Sequence, residues 1–317
     1  MIRFLVNRLI QMVFVVLGVT LIAFVLQNLI ATGPSLARAI IGPRATNAQI
    51  TTFIDTYGLN HPVIVQYLHY LGQLVQGNLG YSYKLNEPVR TIIATELPKD
   101  ALLVGLSLVL ALAFAVPLGI WQAVRRNRLV DHAGTAVSFV LYSMPAYWLS
   151  LLLIAAFAVT WRLLPAEAPQ GETVTSMLAH PAGIVLPIAS LTLITLALFS
   201  RYMRSAAIET LAQDYIRTAR AKGSSTFRML RRHLLRNSLA SVTTIVGLSL
   251  PGILTAGVVV EYVFNVQGVG LSFFTAASTS DYPIELGITV LVGLVTVIGN
   301  LLADVMYAVL DPRVRYD

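Results

Sequence analysis

The 317-residue sequence predicts an all-α integral membrane protein with six transmembrane helices and both termini cytoplasmic, and three observations carry this. Hydrophobic residues make up 56% of the chain against 12% charged, and the mean hydropathy is +0.74, a balance foreign to a soluble fold. Apolar runs at about 9–30, 101–124, 133–160, 183–204, 239–263 and 284–310 each reach the ~20 residues of a bilayer-spanning helix. With the N-terminus inside, sixteen Lys and Arg fall on cytoplasmic segments against six outside: Arg38, Arg44, Lys84, Arg90, Lys99 and Arg162. Topology therefore accounts for most of the net charge of +7, which calls for no nucleic-acid partner.

The first span follows Arg3 and Arg8, and Ala37-x-Ala39 resembles a signal-cleavage site, but the apolar stretch Leu9–Leu26 is longer than the ~7–15 residues of a signal core. It reads as a retained helix. Residues 31–99 form an outside segment punctuated by Gly33-Pro34, Gly42-Pro43, His61-Pro62 and Pro88. Within it Val63, Tyr67, Leu71, Leu74 and Val75 recur at helical spacing, predicting one amphipathic helix on the bundle or at the interface. The chain thus divides into residues 1–98, a five-helix core over 99–310 with a cytoplasmic loop at about 205–236, and a tail over 311–317. Pro117, Pro145, Pro187 and Pro251 sit inside spans and predict kinks, which serve either a moving hinge or static packing.

Most enzyme chemistry is missing. There is no cysteine, which excludes disulfides, thiolate chemistry and cysteine-ligated zinc. The three lysines, Lys84, Lys99 and Lys222, complete no phosphate-binding loop, so ATP hydrolysis by this chain is not expected. The five histidines have no metal-ligand spacing, and no serine lies in a nucleophile elbow. Within the spans only Asp304 and Glu261 offer the carboxylates that an ion-coupled carrier needs; a headgroup-level ion pair and an interfacial cap are the alternative readings. An ion-coupled secondary carrier therefore stays as a second function class, and a lipid- or partner-binding scaffold as a third.

The most distinctive segment is Glu209–Arg236, ETLAQDYIRTARAKGSSTFRMLRRHLLR, a long basic stretch between two apolar runs. In it Tyr215, Thr218, Ala219 and Lys222 share one helical face, and Arg217, Arg220 and Ser224 lie roughly on another. Gly223 ends the helix, and Ser224 or Ser225 is placed to cap a second one starting near Thr226 that carries Arg228, Arg231, Arg232 and Arg236. Attraction to anionic membrane lipids explains many of these charges but not the Ala-x-Ala-Lys-Gly break.

Tyr215 to Gly223, YIRTARAKG, followed by Arg236-Asn237, resembles the cytoplasmic signature loop of ABC importer permeases of the peptide/nickel branch. The resemblance extends to GLNHPVIVQYLHYLGQLVQGNLGYSY outside, Glu96-Leu97-Pro98, SMPAYWL from Ser143 to Leu149, and YAVLDPRVRY from Tyr307 to Tyr316, all similar to the first of the two permeases of such systems. Two departures stand out. Arg217-Thr218-Ala219 replaces the generic Glu-Ala-Ala, which argues against a Glu-mediated contact, and Gln267 replaces a proline in VFNVQGVG, implying a looser outer gate loop.

The resemblance implies an importer-type permease fold in the bacterial cytoplasmic (inner) membrane and import of di- or oligopeptides, with nickel or other solutes as alternatives. It implies as partners a homologous second permease, two cytosolic ATPases that use ATP and Mg, and an extracytoplasmic substrate-binding protein, with no cofactor on this chain. Asp214, Tyr215, Arg217, Thr218, Ala219, Arg220, Ala221, Lys222 and Gly223 would then form the ATPase-coupling element. Ser143, Tyr147, Ser249, Glu261 and Asn300, with Gln27 and Asn28, are candidates for the translocation path or gate, each of which also suits an interhelical hydrogen bond.

Overall fold

The structure, a computed structural model, describes residues 2–310 apart from 31–32, 43, 57, 83 and 172. In chain order the elements are α1 (Ile2–Ile30), α2 (Gly33–Ile41), α3 (Asn47–Thr56), α4 (Val63–Val75), β1 (Tyr81–Ser82), β2 (Glu87–Pro88), α5 (Val89–Val124), α6 (Leu129–Ser143), α7 (Ala146–Leu153), α8 (Val174–Ala179), α9 (Ala182–Leu211), α10 (Asp214–Ala221), α11 (Thr226–Met229), α12 (Arg236–Phe264), α13 (Val269–Thr279) and α14 (Tyr282–Leu310). Among the described residues five helices are long and apolar enough to cross a membrane, and six spans result when α6 and α7 are counted as one. All six predicted spans are therefore helical, as is the amphipathic segment, whose helix α4 runs Val63–Val75.

One span differs from a simple rod. The run 133–160 is broken at Met144-Pro145, where α6 and α7 (with its π-helical continuation Ile154–Thr160) meet at 106°. Met144 adopts φ −74°, ψ 130°, the extended conformation that a following proline imposes. Pro187 and Pro251, by contrast, are carried inside continuous α9 and α12.

The chain groups into two compact units. The first comprises the chain up to Pro98 together with Gln267–Val297. In it α4 is pinned to α1 by Tyr67, whose hydroxyl lies 3.0 Å from Thr20 Oγ1 and donates to the Leu17 carbonyl at 3.0 Å. The β1–β2 hairpin pairs Tyr81 with Pro88 and Ser82 with Glu87. Buried Ser82 donates to Asp281 Oδ2 at 2.5 Å, and Ser272 to Glu96 Oε1 at 2.6 Å, which ties the hairpin and the start of α5 to the segment around α13. Val89, Ile92, Ile93, Val269, Ile284 and Ile288 fill its core.

The second unit comprises Lys99–Val266, continued by α14 from Ile298. Its axis is α9, the most buried of the spans, against which α6, α7 and α12 pack. Leu103, Leu186, Leu191, Val260 and Phe264 form the main core. Where α5 passes α9, Gly119 has no room for a side chain: a Cβ there would lie 2.8 Å from the Ser200 carbonyl oxygen and 2.9 Å from the Arg204 backbone nitrogen. The side chain of Asp304 and the tail 311–317 lie outside the described residues.

Candidate functional site

The basic segment folds as its residue order dictates. Helix α10 spans Asp214–Ala221, Lys222 follows as the C-cap, and Gly223 at φ +76° takes the left-handed conformation that ends a helix. Ser225 then accepts from the Arg228 amide, so of the two candidate serines this one caps α11. The chain continues from α11 through π-helical turns at Leu230–Leu235 into α12.

Only Ile216 of α10 is fully buried, at 1% exposure. Ala219 is half-buried, whereas Asp214, Tyr215, Arg217, Thr218, Arg220, Ala221, Lys222 and Gly223 are exposed. The Asp214–Arg217 contact of 3.4 Å is fully at the surface and contributes little. Firmer ties run to the next helices: Asn237 Nδ2 donates to Tyr215 OH at 3.0 Å, and Arg220 Nε approaches the buried Met229 sulfur at 3.4 Å. One level higher, buried Ser238 donates to Thr210 at 3.1 Å, joining the base of α12 to α9. The result is a basic knuckle with one buried isoleucine, joined covalently to two spans.

A second cluster, which the sequence reading left unrecognised, clamps α5, α6 and α9. Arg204 donates from Nε and from its terminal nitrogen to the two oxygens of Asp131, at 2.5 and 2.8 Å. Asp131 is buried, and its Oδ2 also accepts from the Asn127 amide at 2.9 Å, with Asn127 left-handed at φ +62°. Beside it Gln122 is buried against Gly134, where a Cβ would fall 2.1 Å from Gln122 Nε2. Ser138 and Ser200 hydroxyls, 3.2 Å apart, continue the seam. The available signal was a carboxylate in the third helical position after an Arg-rich turn, a capping pattern, but its partner lies 73 residues away.

The path candidates separate into groups. Ser143 and Tyr147 both line a shallow, open hollow of about 500 Å³ at the α6–α7 bend, together with exposed Phe139 and Trp148 and with Pro145. Ser249 and Asn300 flank the crossing where Leu250 of α12 presses on Gly299 of α14, and the Asn300 oxygen is buried with no hydrogen-bond partner among the described residues. Glu261 is buried at the end of α12, close to Gly257 rather than at an exposed interface. Beyond it, Ala168 donates to the Phe264 carbonyl at 2.8 Å and Gln170 to the Asn265 carbonyl at 2.9 Å, so ties hold the chain just before exposed Gln267. Gln27 and Asn28 line a separate cavity in the first unit.

With this geometry in hand, the chain matches the family model of the binding-protein-dependent transport system inner membrane component over residues 115–316. The corresponding N-terminal model matches residues 1–104. The oligopeptide transport system permease protein AppB of Bacillus subtilis (strain 168) is 36% identical over the whole of both chains. The dipeptide transport system permease protein DppB of Escherichia coli (strain K12) is 30% identical over 100% of this chain and 99% of its own. In fold, the chain is similar to a chain of the MetNI methionine ABC transporter solved in inward-facing conformations, at TM-score 0.56 and 15% identity, covering 70% of this chain and 97% of that one.

Proposed function

This chain belongs to the binding-protein-dependent transport system inner membrane component family, and from that premise we propose that it is the pore-forming permease of an ATP-driven importer whose cargo is di- and oligopeptides. It is a multi-pass inner-membrane subunit without catalysis of its own; ATPase and binding-protein partners follow from the family. In detail, a homologous second permease completes the pore, two cytosolic ATPases dock beneath the two signature loops, and the binding protein delivers peptide from outside.

The observation that carries the coupling role is α10 itself. Its Arg217, Thr218 and Lys222 are exposed and so available to a partner, while Ile216 is buried and the Tyr215–Asn237 bond ties α10 to the base of α12. Closure of an ATPase pair would displace such a knuckle as a rigid lever, and α9 and α12 would carry the displacement into the membrane. Arg217, Arg220 and Lys222 set orientation by charge, and small Ala219 and Ala221 permit close seating in a groove. Peptide would pass the Ser143–Tyr147 hollow and the Ser249–Asn300 crossing, whose few polar groups suit a permissive path.

The test is uptake of labelled di- to pentapeptides into proteoliposomes holding the complete transporter and its binding protein. Uptake should require ATP, and Ala219→Trp should lower it more than tenfold while the complex still assembles. Peptide uptake driven by a proton gradient without ATP would overturn the reading.

A further inference from the structure

The outer segment of the first unit contains a cavity of about 650 Å³, within the size range of small-molecule sites. It is walled by the outer end of α1, by α3 and α4, and by the start of α14. Phe24, Leu36, Leu59, Val65, Leu79 and Leu286 supply an apolar wall. Gln27, Asn28, Asp55, Gln66 and Tyr70 supply the polar one.

Most of this polar wall is tied down. Asn28 donates to the Phe24 carbonyl at 3.2 Å, and Gln66 Nε2 donates to the carbonyls of Leu59 and His61 at 3.1 and 2.8 Å. Two groups are different: Gln27 Oε1 and the Tyr70 hydroxyl are buried and have no hydrogen-bond partner among the described residues. Each such orphan costs about 1–3 kcal/mol, so two on one cavity need a compensating partner. The Tyr70 ring stacks on Phe24, with centroids 5.5 Å apart and planes 25° apart, which fixes its hydroxyl in place. Burial, with Tyr67 beside it, pushes the Tyr70 phenol above its ordinary value of 10, so the group remains a neutral hydrogen-bond donor.

The charge pattern narrows the ligand. The lining contains one carboxylate, Asp55, the imidazoles of His61 and His69, and no lysine or arginine. Asp55 is exposed, with its Oδ1 accepting from Asn60 at 3.0 Å. A wall with one carboxylate, no permanently charged cation and several amide and hydroxyl groups favours a cation that also carries amide donors and acceptors.

We propose that this cavity is a subsite of the permease for the free N-terminal end of a short peptide. The ammonium group lies toward Asp55, a peptide N–H donates to Gln27 Oε1, a peptide carbonyl accepts from the Tyr70 hydroxyl, and apolar side chains rest on the Phe24–Leu286 wall. The inference rests on the peptide reading above and adds to it a place on this chain where peptide is held before it enters the path.

The test uses the assembled transporter in nanodiscs without its soluble binding protein, with isotope-labelled tri-alanine and N-acetyl-tri-alanine as probes. Tri-alanine should bind at least tenfold more tightly than the acetylated form, and Asp55→Asn should erase that preference. Gln27→Leu and Tyr70→Phe, which keep the packing, should each weaken tri-alanine binding about 3- to 10-fold. The acetylation comparison is made on the unaltered chain, so it decides even if a variant folds poorly. Equal binding of the two probes, or binding unmoved by both variants, overturns the subsite while ATP-driven peptide uptake persists. Absence of peptide uptake by the unaltered transporter overturns the peptide reading itself.

Discussion

Asp131 shows how much a single carboxylate can organise. It accepts two bonds from Arg204 and one from the Asn127 amide while almost fully buried, so its removal leaves a half-buried guanidinium without its bidentate acceptor. Losing one partner of a fully buried pair costs about 3–5 kcal/mol, and the partial exposure of Arg204 reduces this. Asp131→Asn should therefore lower the thermal midpoint of the purified transporter by several degrees and reduce peptide uptake more than ATP hydrolysis; an unchanged midpoint would show the pair to be dispensable. Gly134 is a matching case of space. Gly134→Ala forces Gln122 to move and should cost about 1–3 kcal/mol, most of which Gln122→Ala in the same chain should restore, as a double-mutant cycle on midpoints would reveal.

At the scale of elements, the break between α10 and α11 is what makes the basic segment a knuckle rather than one long helix. Gly223 at φ +76° ends α10, and Ser225 starts α11. An alanine at Gly223 is strained in that conformation by roughly 1 kcal/mol and favours continuing the helix, which would re-aim α10. Gly223→Ala should accordingly reduce uptake several-fold with assembly intact; full uptake would mean that the break has no part in coupling. The α6–α7 bend obeys the same logic with proline in place of glycine. YSMPAYWL is apolar enough to continue a span, and only the Pro145 ring and the extended Met144 divide it.

For the whole molecule the decisive property is orientation in the membrane. Sixteen Lys and Arg on the segments predicted to be cytoplasmic, α10 among them, against six outside predict that α10 faces the cytosol and that residues 31–99 lie outside. The absence of native cysteine makes this simple to test. Asn60→Cys should react with an impermeant maleimide added outside intact cells, and Ser224→Cys should react only after the membrane is opened. The reverse pattern would invert the topology and remove α10 from any cytosolic partner.

Spans, the α4 amphipathic helix, the Gly223 break and the serine cap were all legible in the residues, because each follows from local composition, periodicity or one backbone preference. The nine-residue motif YIRTARAKG and its helix were equally legible, being contiguous. Other features needed the folded chain: the bidentate Asp131–Arg204 pair, the Gln122–Gly134 contact, the burial of Glu261, and the meeting of Gln27 with Tyr70 at one cavity. In each of the three pairings the partners stand apart in sequence on different helices, and no local preference states which helix will pass which. Sequence by itself determined that this chain is a helical membrane permease with a basic loop between two apolar spans. Tertiary packing alone decided which of its scarce polar groups are paired and which two are left facing a cavity, since hydrogen bonding inside a low-dielectric bundle depends on contacts made only when the helices meet.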